Sequence, residues 1–175
     1  MTGTVYTVPP IPPDEEHTTW VDAGSISIGV EYRLLDDAEL AAHYQGEQME
    51  EIQAATGGQA TQDNGVSLHV AGTEDGHEYL RFDMFEKEPH YHYIEPSGEK
   101  QTIVDYDRVA LGPMLPWALG QIRNQLEPML RFAGGEALVP KLDPARIAAS
   151  LAEVEKLARE AEEALAAQTS GARSR

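Results

Sequence analysis

Residues 66–95, VSLHVAGTEDGHEYLRFDMFEKEPHYHYIE, decide the fold of this chain. They contain three short runs, Val66–Ala71, Glu78–Phe85 and His90–Glu95, that are rich in β-branched and aromatic side chains. The dipeptide Asp75–Gly76 is typical of a hairpin turn, and a Glu-Lys-Glu-Pro turn separates the second run from the third. Because links this short join antiparallel neighbours, we predict three strands that pair in sequence order.

Two further segments can join this sheet. Between Thr18 and Leu34, apolar and polar residues alternate, as in a half-buried strand. Residues 102–104 could add a strand after the third run. In the second run, alternation places Leu80, Phe82 and Met84 on the face that should meet a helix. We therefore expect an antiparallel sheet of about four strands.

The last third of the chain has the periodicity of helices. From Pro113 to Ala133, large apolar residues recur at spacings of three and four, which predicts one helix face that backs the sheet. Pro128 should kink or split this helix, because proline lacks the N–H and its ring clashes with the preceding turn. Asp143 and Pro144 supply an N-cap and a first-turn proline for a second, long helix. The expected fold class is α+β.

The chain divides into four predicted parts. Residues 1–13 form a proline-rich arm, because four prolines between positions 9 and 13 favour extended backbone. Residues 18–142 form the α+β domain. Residues 143–168 form a C-terminal docking helix, and the polar residues 169–175 form a disordered tail.

The helix at residues 143–168 carries a narrow apolar stripe that needs a partner surface. The stripe consists of Ile147, Leu151, Val154, Ala158, Ala161 and Leu165. The partner could be the 113–133 helix of the same chain, a second copy, or another protein. The length of the helix favours an intermolecular contact, so we expect a protein partner or a homo-oligomer.

Composition excludes several classes of function. The 175 residues contain 13 basic and 30 acidic side chains, a net charge of −17, which repels nucleic acids and anionic membranes. There is no cysteine, so disulfides, thiolate metal sites and thiol nucleophiles are excluded. No apolar run approaches the roughly 20 residues of a membrane helix, and the N-terminus does not resemble a secretory signal. We expect a cytoplasmic protein with no nucleic-acid, membrane or cofactor partner.

The third run contains the best candidate for a site. On a strand, His90 and His92 project to the same face with Cβ atoms about 7 Å apart, so two imidazoles could share one metal ion. His69 or Asp83 could supply a third ligand. Two other interpretations stay open: the imidazoles face solvent while Tyr91 and Tyr93 pack inward, or the histidines line a polar groove.

Arg81 and Asp83 form a second candidate on the polar face of their strand. A guanidinium beside a carboxylate can bind a substrate carboxylate or orient a general base. The alternative is a cross-strand salt bridge worth under about 1 kcal/mol.

Three strings of sequence resemble a known family. Tyr79-Leu-Arg-Phe-Asp83, His90-Tyr-His-Tyr-Ile94 and Met114-Leu-Pro-Trp-Ala-Leu119 are similar to strings in a family of small uncharacterised bacterial proteins. The resemblance spans roughly residues 65–135. It implies a recurring domain and no particular activity.

Two functions follow from these features. The proline arm, the long helix and the absence of a catalytic motif favour a non-catalytic accessory or small structural subunit, which assembles with itself or with a larger enzyme. The alternative is a small metal- or ligand-binding enzyme that uses the His90/His92 strand face.

Overall fold

One seven-stranded antiparallel sheet organises the computed structural model, which describes residues 3–172. In chain order the strands are β1 (Thr4–Tyr6), β2 (Thr18–Asp22), β3 (Ile26–Asp36), β4 (Gln62–Gly72), β5 (Glu78–Phe85), β6 (His90–Ile94) and β7 (Gln101–Asp105). Strands β2 to β7 form a meander in sequence order, and β1 pairs with the outer edge of β7. The three predicted strands of residues 66–95 are confirmed as antiparallel neighbours.

The α+β class and the long C-terminal helix are confirmed, but the expectation of about four strands is wrong. Residues 18–34 form parts of two strands, because a turn closed by the Ala23 N–H donating to the Ile26 carbonyl makes them a hairpin. β1 lies inside the proline-rich arm, just before its first proline. Both extra strands are edge strands, where proline and short length are tolerated.

Six helices and one short 3-10 turn complete the chain. They are α1 (Asp37–His43), α2 (Glu47–Ala55), α3 (Arg108–Leu111), α4 (Met114–Asn124), α5 (Leu126–Phe132), the 3-10 turn Val139–Lys141 and α6 (Pro144–Ala172). Within the described residues, none of these helices combines the length and apolar character that a membrane crossing requires.

The helix boundaries follow local sequence. α4 ends at Asn124, four residues before Pro128, where the proline ring would clash with a helical carbonyl. Asp143 caps α6, because its Oδ1 accepts from the N–H groups of Ala145 and Arg146 at 3.0 Å. α6 continues through residues 169–172, which we expected in the disordered tail, and residues 173–175 lie outside the described part.

The main core lies between one face of the sheet and helices α4, α5 and α6. Alternation along each strand points the apolar residues to this face, as predicted for Leu80 and Phe82, which are fully buried. Trp117 on α4 packs edge-on against Phe82 at 6.0 Å between ring centroids. The other strand residues of this core are Val21, Ile26, Ile28, Val30, Val66, Leu68, Val70, Tyr79, Tyr93 and Val104.

The apolar stripe of α6 belongs to this same core. Ile147, Leu151, Val154, Ala158 and Leu165 are buried, and the helix packs on β2, β3, β4 and α4. The stripe on residues 143–168, which we expected to make an intermolecular contact, therefore packs on the chain's own sheet, and a protein partner or homo-oligomer stays a prediction. The sheet is wider than four strands, and α6 covers the apolar surface of β2 to β4.

The opposite face of the sheet is covered by the N-terminal arm with α1 and α2. Val8, Ile11 and Tyr44 form a small buried cluster there, against the partly buried Tyr6, Leu35, Leu40, Met49 and Ile52. The Tyr44 hydroxyl donates to the Pro9 carbonyl at 2.7 Å, and Arg33 donates to the Pro12 carbonyl at 2.8 Å. The arm thus packs on its own chain and shields polar side chains of the sheet from water.

Replacement of Leu151 by Ala tests the position of α6. The side chain is 1 % exposed, so we expect L151A to lose about 2–5 kcal/mol of unfolding free energy, as large-to-small core changes do. The matched control is Glu153→Ala on the exposed side of the same helix, for which we expect a change within about 0.5 kcal/mol. Urea unfolding followed by circular dichroism measures both. Equal stability of the two variants would contradict the packing of α6 on the sheet.

Candidate functional site

Asp83, His90 and His92 meet on the face of the sheet that the arm covers. The pairing of β5 with β6 sets Asp83 opposite His90 and Arg81 opposite His92, so all four side chains project from one surface. Tyr91 takes the other parity, and its ring lies 5.2 Å from that of Trp117 in the helix layer. The two histidines therefore face away from the main core, but His92 is buried rather than solvent-facing.

The three side chains converge on one point. The Asp83 Oδ2 lies 2.8 Å from His92 Nε2 and 3.3 Å from His90 Nε2, and one ligand atom of each residue lies within 4.8 Å of the others. Two donors bound to one metal at about 2.1 Å are separated by roughly 3.0–3.4 Å in octahedral or tetrahedral geometry. The two distances to Asp83 Oδ2 are within a few tenths of an ångström of those values, and the third separation in the cluster is at most 4.8 Å.

Hydrogen bonds fix which nitrogen of each imidazole carries the proton. His90 Nδ1 lies 2.7 Å from the Glu88 carbonyl, which can only accept, so Nδ1 is the donor. His92 Nδ1 lies 2.7 Å from Gln101 Oε1, and the Gln101 amide nitrogen donates to the Val8 carbonyl at 2.8 Å. Where a ring is neutral, its Nε2 therefore carries a lone pair toward Asp83 Oδ2, and where it is protonated, its Nε2–H donates to that oxygen. Such Nδ1–H bonds to carbonyl oxygens are typical of metal-bound histidines.

Burial and neighbouring charge decide the protonation of the cluster. Burial raises the pKa of Asp83, but the hydrogen bonds from His90 and His92 outweigh it and hold that pKa well below its usual range. Burial lowers the pKa of His92, and the charges of His90 and Arg81 keep it low although Asp83 raises it. Burial also lowers the pKa of His90, but the hydrogen bond and the charge of Asp83 have the larger effect. The pKa of His90 is therefore raised above its ordinary value. The lowered pKa favours the neutral form of His92, whose Nε2 lies 2.8 Å from Asp83 Oδ2.

The side chains predicted beside this cluster have other partners. Arg81 donates to both carboxylate oxygens of Glu78, at 2.8 and 2.6 Å, rather than pairing with Asp83. Asp83 instead accepts from the Ser67 hydroxyl through Oδ1 and lies against the histidines through Oδ2. His69, considered above as a third ligand, does not reach the cluster. Of the two candidates for a third ligand, Asp83 is the one that lies beside both histidines.

His69 instead bridges two buried carboxylates. Its Nε2 lies 2.8 Å from Glu31 Oε2 and its Nδ1 lies 2.6 Å from Glu78 Oε1. Because both partners are acceptors, both ring nitrogens donate and His69 is an imidazolium. Arg33 lies 3.2 Å from Glu31, so charges of alternating sign run across the strands from Arg33 to Arg81.

Sequence analysis missed the two glutamates and Arg33 as members of this network. Glu31 and Arg33 occupy alternate positions on β3, opposite in parity to the buried Ile28 and Val30. That alternation is the only signal in the sequence, and it is the same signal that a solvent-exposed strand face gives. The arm that buries the face comes from a distant part of the chain.

An open recess of about 410 Å³ lies on the same face of the sheet, on the β7 side of the histidines. It is lined by Gly3, Thr4, Ile103 and Asp105. Asp105 lies opposite His90 in the pairing of β6 with β7. At this edge of the cluster the His90 side chain is 18 % exposed.

The imidazolium of His69 predicts a pH dependence of stability. Burial and the charge of Arg81 lower the His69 pKa. Glu78 and Glu31 have the larger, opposite effect, so the pKa is raised above the ordinary 6.5. Since the pKa is higher in the folded state, this contribution to the unfolding free energy is complete below pH 6.5 and is lost as the pH rises through the folded value.

We therefore expect the His69 ring signals in NMR to stay those of an imidazolium above pH 6.5, and the unfolding free energy to fall as they titrate. His43→Gln, at an exposed histidine, should leave that fall unchanged. Titration of His69 below pH 6.5 would contradict the bridge between Glu31 and Glu78.

The chain matches a protein family to which no function is assigned. No curated protein and no solved structure matches it significantly. A family model described as a domain of unknown function, DUF7700, matches residues 20–158. This range holds part of β2, all of β3 to β7, the Asp83–His90–His92 cluster and about half of α6, and it extends beyond the residues 65–135 that carry the resemblance. The chain belongs to the DUF7700 family of domains of unknown function.

Proposed function

We propose that this protein binds one divalent first-row transition metal ion through Asp83 Oδ2, His90 Nε2 and His92 Nε2, with coordination positions left for an exogenous ligand. The observation that carries the proposal is the convergence of three acceptor atoms, with both histidine tautomers fixed by Nδ1–H bonds. It develops the alternative function predicted from the sequence, which assigned metal binding to His90 and His92.

Protonation of the histidines stabilises the Asp83, His90 and His92 ligand atoms less well than a bound metal ion does. Two imidazoliums would place two positive charges with ring centroids 4.8 Å apart, next to the buried guanidinium of Arg81. One imidazolium leaves the second Nε2 lone pair facing a carboxylate oxygen with no proton between them. A divalent cation accepts all three lone pairs at once, and Asp83 cancels part of its charge.

The ligand set selects a class of metal and of chemistry. Imidazole suits Zn²⁺, Fe²⁺, Ni²⁺ and Cu²⁺, whereas sites for Mg²⁺ and Ca²⁺ are built from oxygen. Three protein ligands leave at least one position open, which is the arrangement of catalytic zinc and of non-haem iron centres. A metal there supports Lewis-acid polarisation or activation of a bound water.

Calorimetric titration with Zn²⁺ tests the proposal. We expect one equivalent to bind per chain, and His90→Ala to lower the affinity by at least about 100-fold, because loss of even an outer partner of a metal ligand costs about 10–100-fold. His90 is the ligand to replace, since it is partly exposed and its loss should spare the fold.

The matched control is His43→Ala, at an exposed histidine of α1, for which we expect wild-type affinity. Circular dichroism of each variant checks the fold. Wild-type protein that binds no Zn²⁺, or an H90A variant that binds as tightly as wild type, would overturn the proposal. In that event the cluster is an aspartate–imidazolium pair.

A second candidate is the accessory or structural subunit predicted from the sequence. The buried stripe of α6 no longer supports it, but Val109 and Leu111 on α3, with Phe132 on α5, are large apolar side chains that remain exposed. An assembly would use such surface, and light scattering of the intact chain measures whether one forms. Bacterial origin and cytoplasmic location likewise stay predictions.

A further inference from the structure

The Gln101 side chain connects the metal-ligand cluster to the N-terminal arm. Gln101 begins β7, is buried, and lies between His92 on β6 and Val8 in the arm. Its Oε1 accepts from His92 Nδ1 at 2.7 Å, and its Nε2 donates to the Val8 carbonyl at 2.8 Å. The carbonyl of Val8 can only accept, so the bond to it determines the orientation of the amide, which cannot flip without losing that bond.

The arm beyond β1 is held to the rest of the chain by side chains. Glu51 accepts from the Thr7 N–H, Tyr44 donates to the Pro9 carbonyl, and Arg33 donates to the Pro12 carbonyl. Gln101 is the member of this set that also contacts a ligand of the proposed metal. The Val8 side chain beside it is 2 % exposed, so this contact lies where the arm is most tightly packed.

From this geometry we infer that Gln101 positions His92 for metal binding and couples occupancy of the metal site to the seating of the arm at Val8. The inference rests on the proposed metal-binding function. Coordination at Nε2 polarises the imidazole and strengthens its Nδ1–H as a donor, and a stronger bond to Gln101 Oε1 polarises the amide N–H that holds Val8. Because coupling between two sites is reciprocal, a seated arm in turn favours the metal-bound state.

Two substitutions at Gln101 separate the positioning of His92 from the link to the arm. Gln101→Ala removes both hydrogen bonds. Gln101→Glu keeps an acceptor for His92 Nδ1 but places a carboxylate, which cannot donate, against the Val8 carbonyl. The matched control is Gln53→Ala, at an exposed glutamine of α2.

The measurements are the Zn²⁺ affinity by calorimetry and the exchange rates of the Thr7, Val8 and Ile11 amides by NMR with and without Zn²⁺. In wild type and Q53A we expect Zn²⁺ to slow exchange at these amides. In Q101A we expect affinity to fall about 10–100-fold and the Zn²⁺-dependent slowing to disappear. In Q101E we expect affinity within about threefold of wild type, because a carboxylate replaces the amide as acceptor, while Zn²⁺ no longer slows exchange in the arm.

Three outcomes would overturn the inference. If Q101A binds Zn²⁺ as tightly as wild type, or if folded Q101E binds as weakly as Q101A, Gln101 does not position His92. If Zn²⁺ leaves exchange at Val8 unchanged in wild type, the arm is not coupled to the site, and the metal-binding proposal stands. Absence of Zn²⁺ binding by wild type removes the proposed function itself, and the inference with it.

Discussion

Compensation of charge beneath the N-terminal arm is the constraint on which the rest of the structure depends. Glu31, Glu78 and Asp83 are carboxylates in or at the edge of a buried layer, and each lies against an arginine, an imidazole or both. An unpaired charge in such a place costs several kcal/mol, so removal of one partner leaves the other unsatisfied. The network therefore fixes the register of β3, β4 and β5, because a shift of one residue would separate His69 on β4 from Glu31 on β3 and Glu78 on β5.

The two faces of the sheet are stabilised by different interactions. On one face, aliphatic and aromatic side chains meet α4, α5 and α6, and the stabilisation scales with the apolar area removed from water. On the other face, polar side chains are covered by a thin layer of arm and short helices, and the stabilisation depends on hydrogen-bond geometry. A site with fixed tautomers can form only on the second face, since low dielectric and directional bonds hold His90 and His92 in place.

The proposed metal site depends on the side chains of that second face rather than on the architecture. Antiparallel sheets backed by helices serve many unrelated activities, so the fold does not choose among them. The local chemistry is more selective, because three converging lone pairs favour a cation over any neutral ligand. The N-terminal arm covers this cluster unevenly. His92 is buried, and His90 is partly exposed at the edge.

Local patterns were enough to predict the strands of residues 66–95, the Asp143 cap, the break before Pro128 and the placement of His90 and His92 on one strand face. These features depend on periods of two and 3.6 residues and on single-residue stereochemistry, which neighbouring residues decide. Which surfaces pack together could be read only from the folded chain. Burial of the polar face by residues 7–12, the intramolecular packing of α6 and the choice of Asp83 over His69 each join segments far apart in the chain, and no local pattern encodes such contacts.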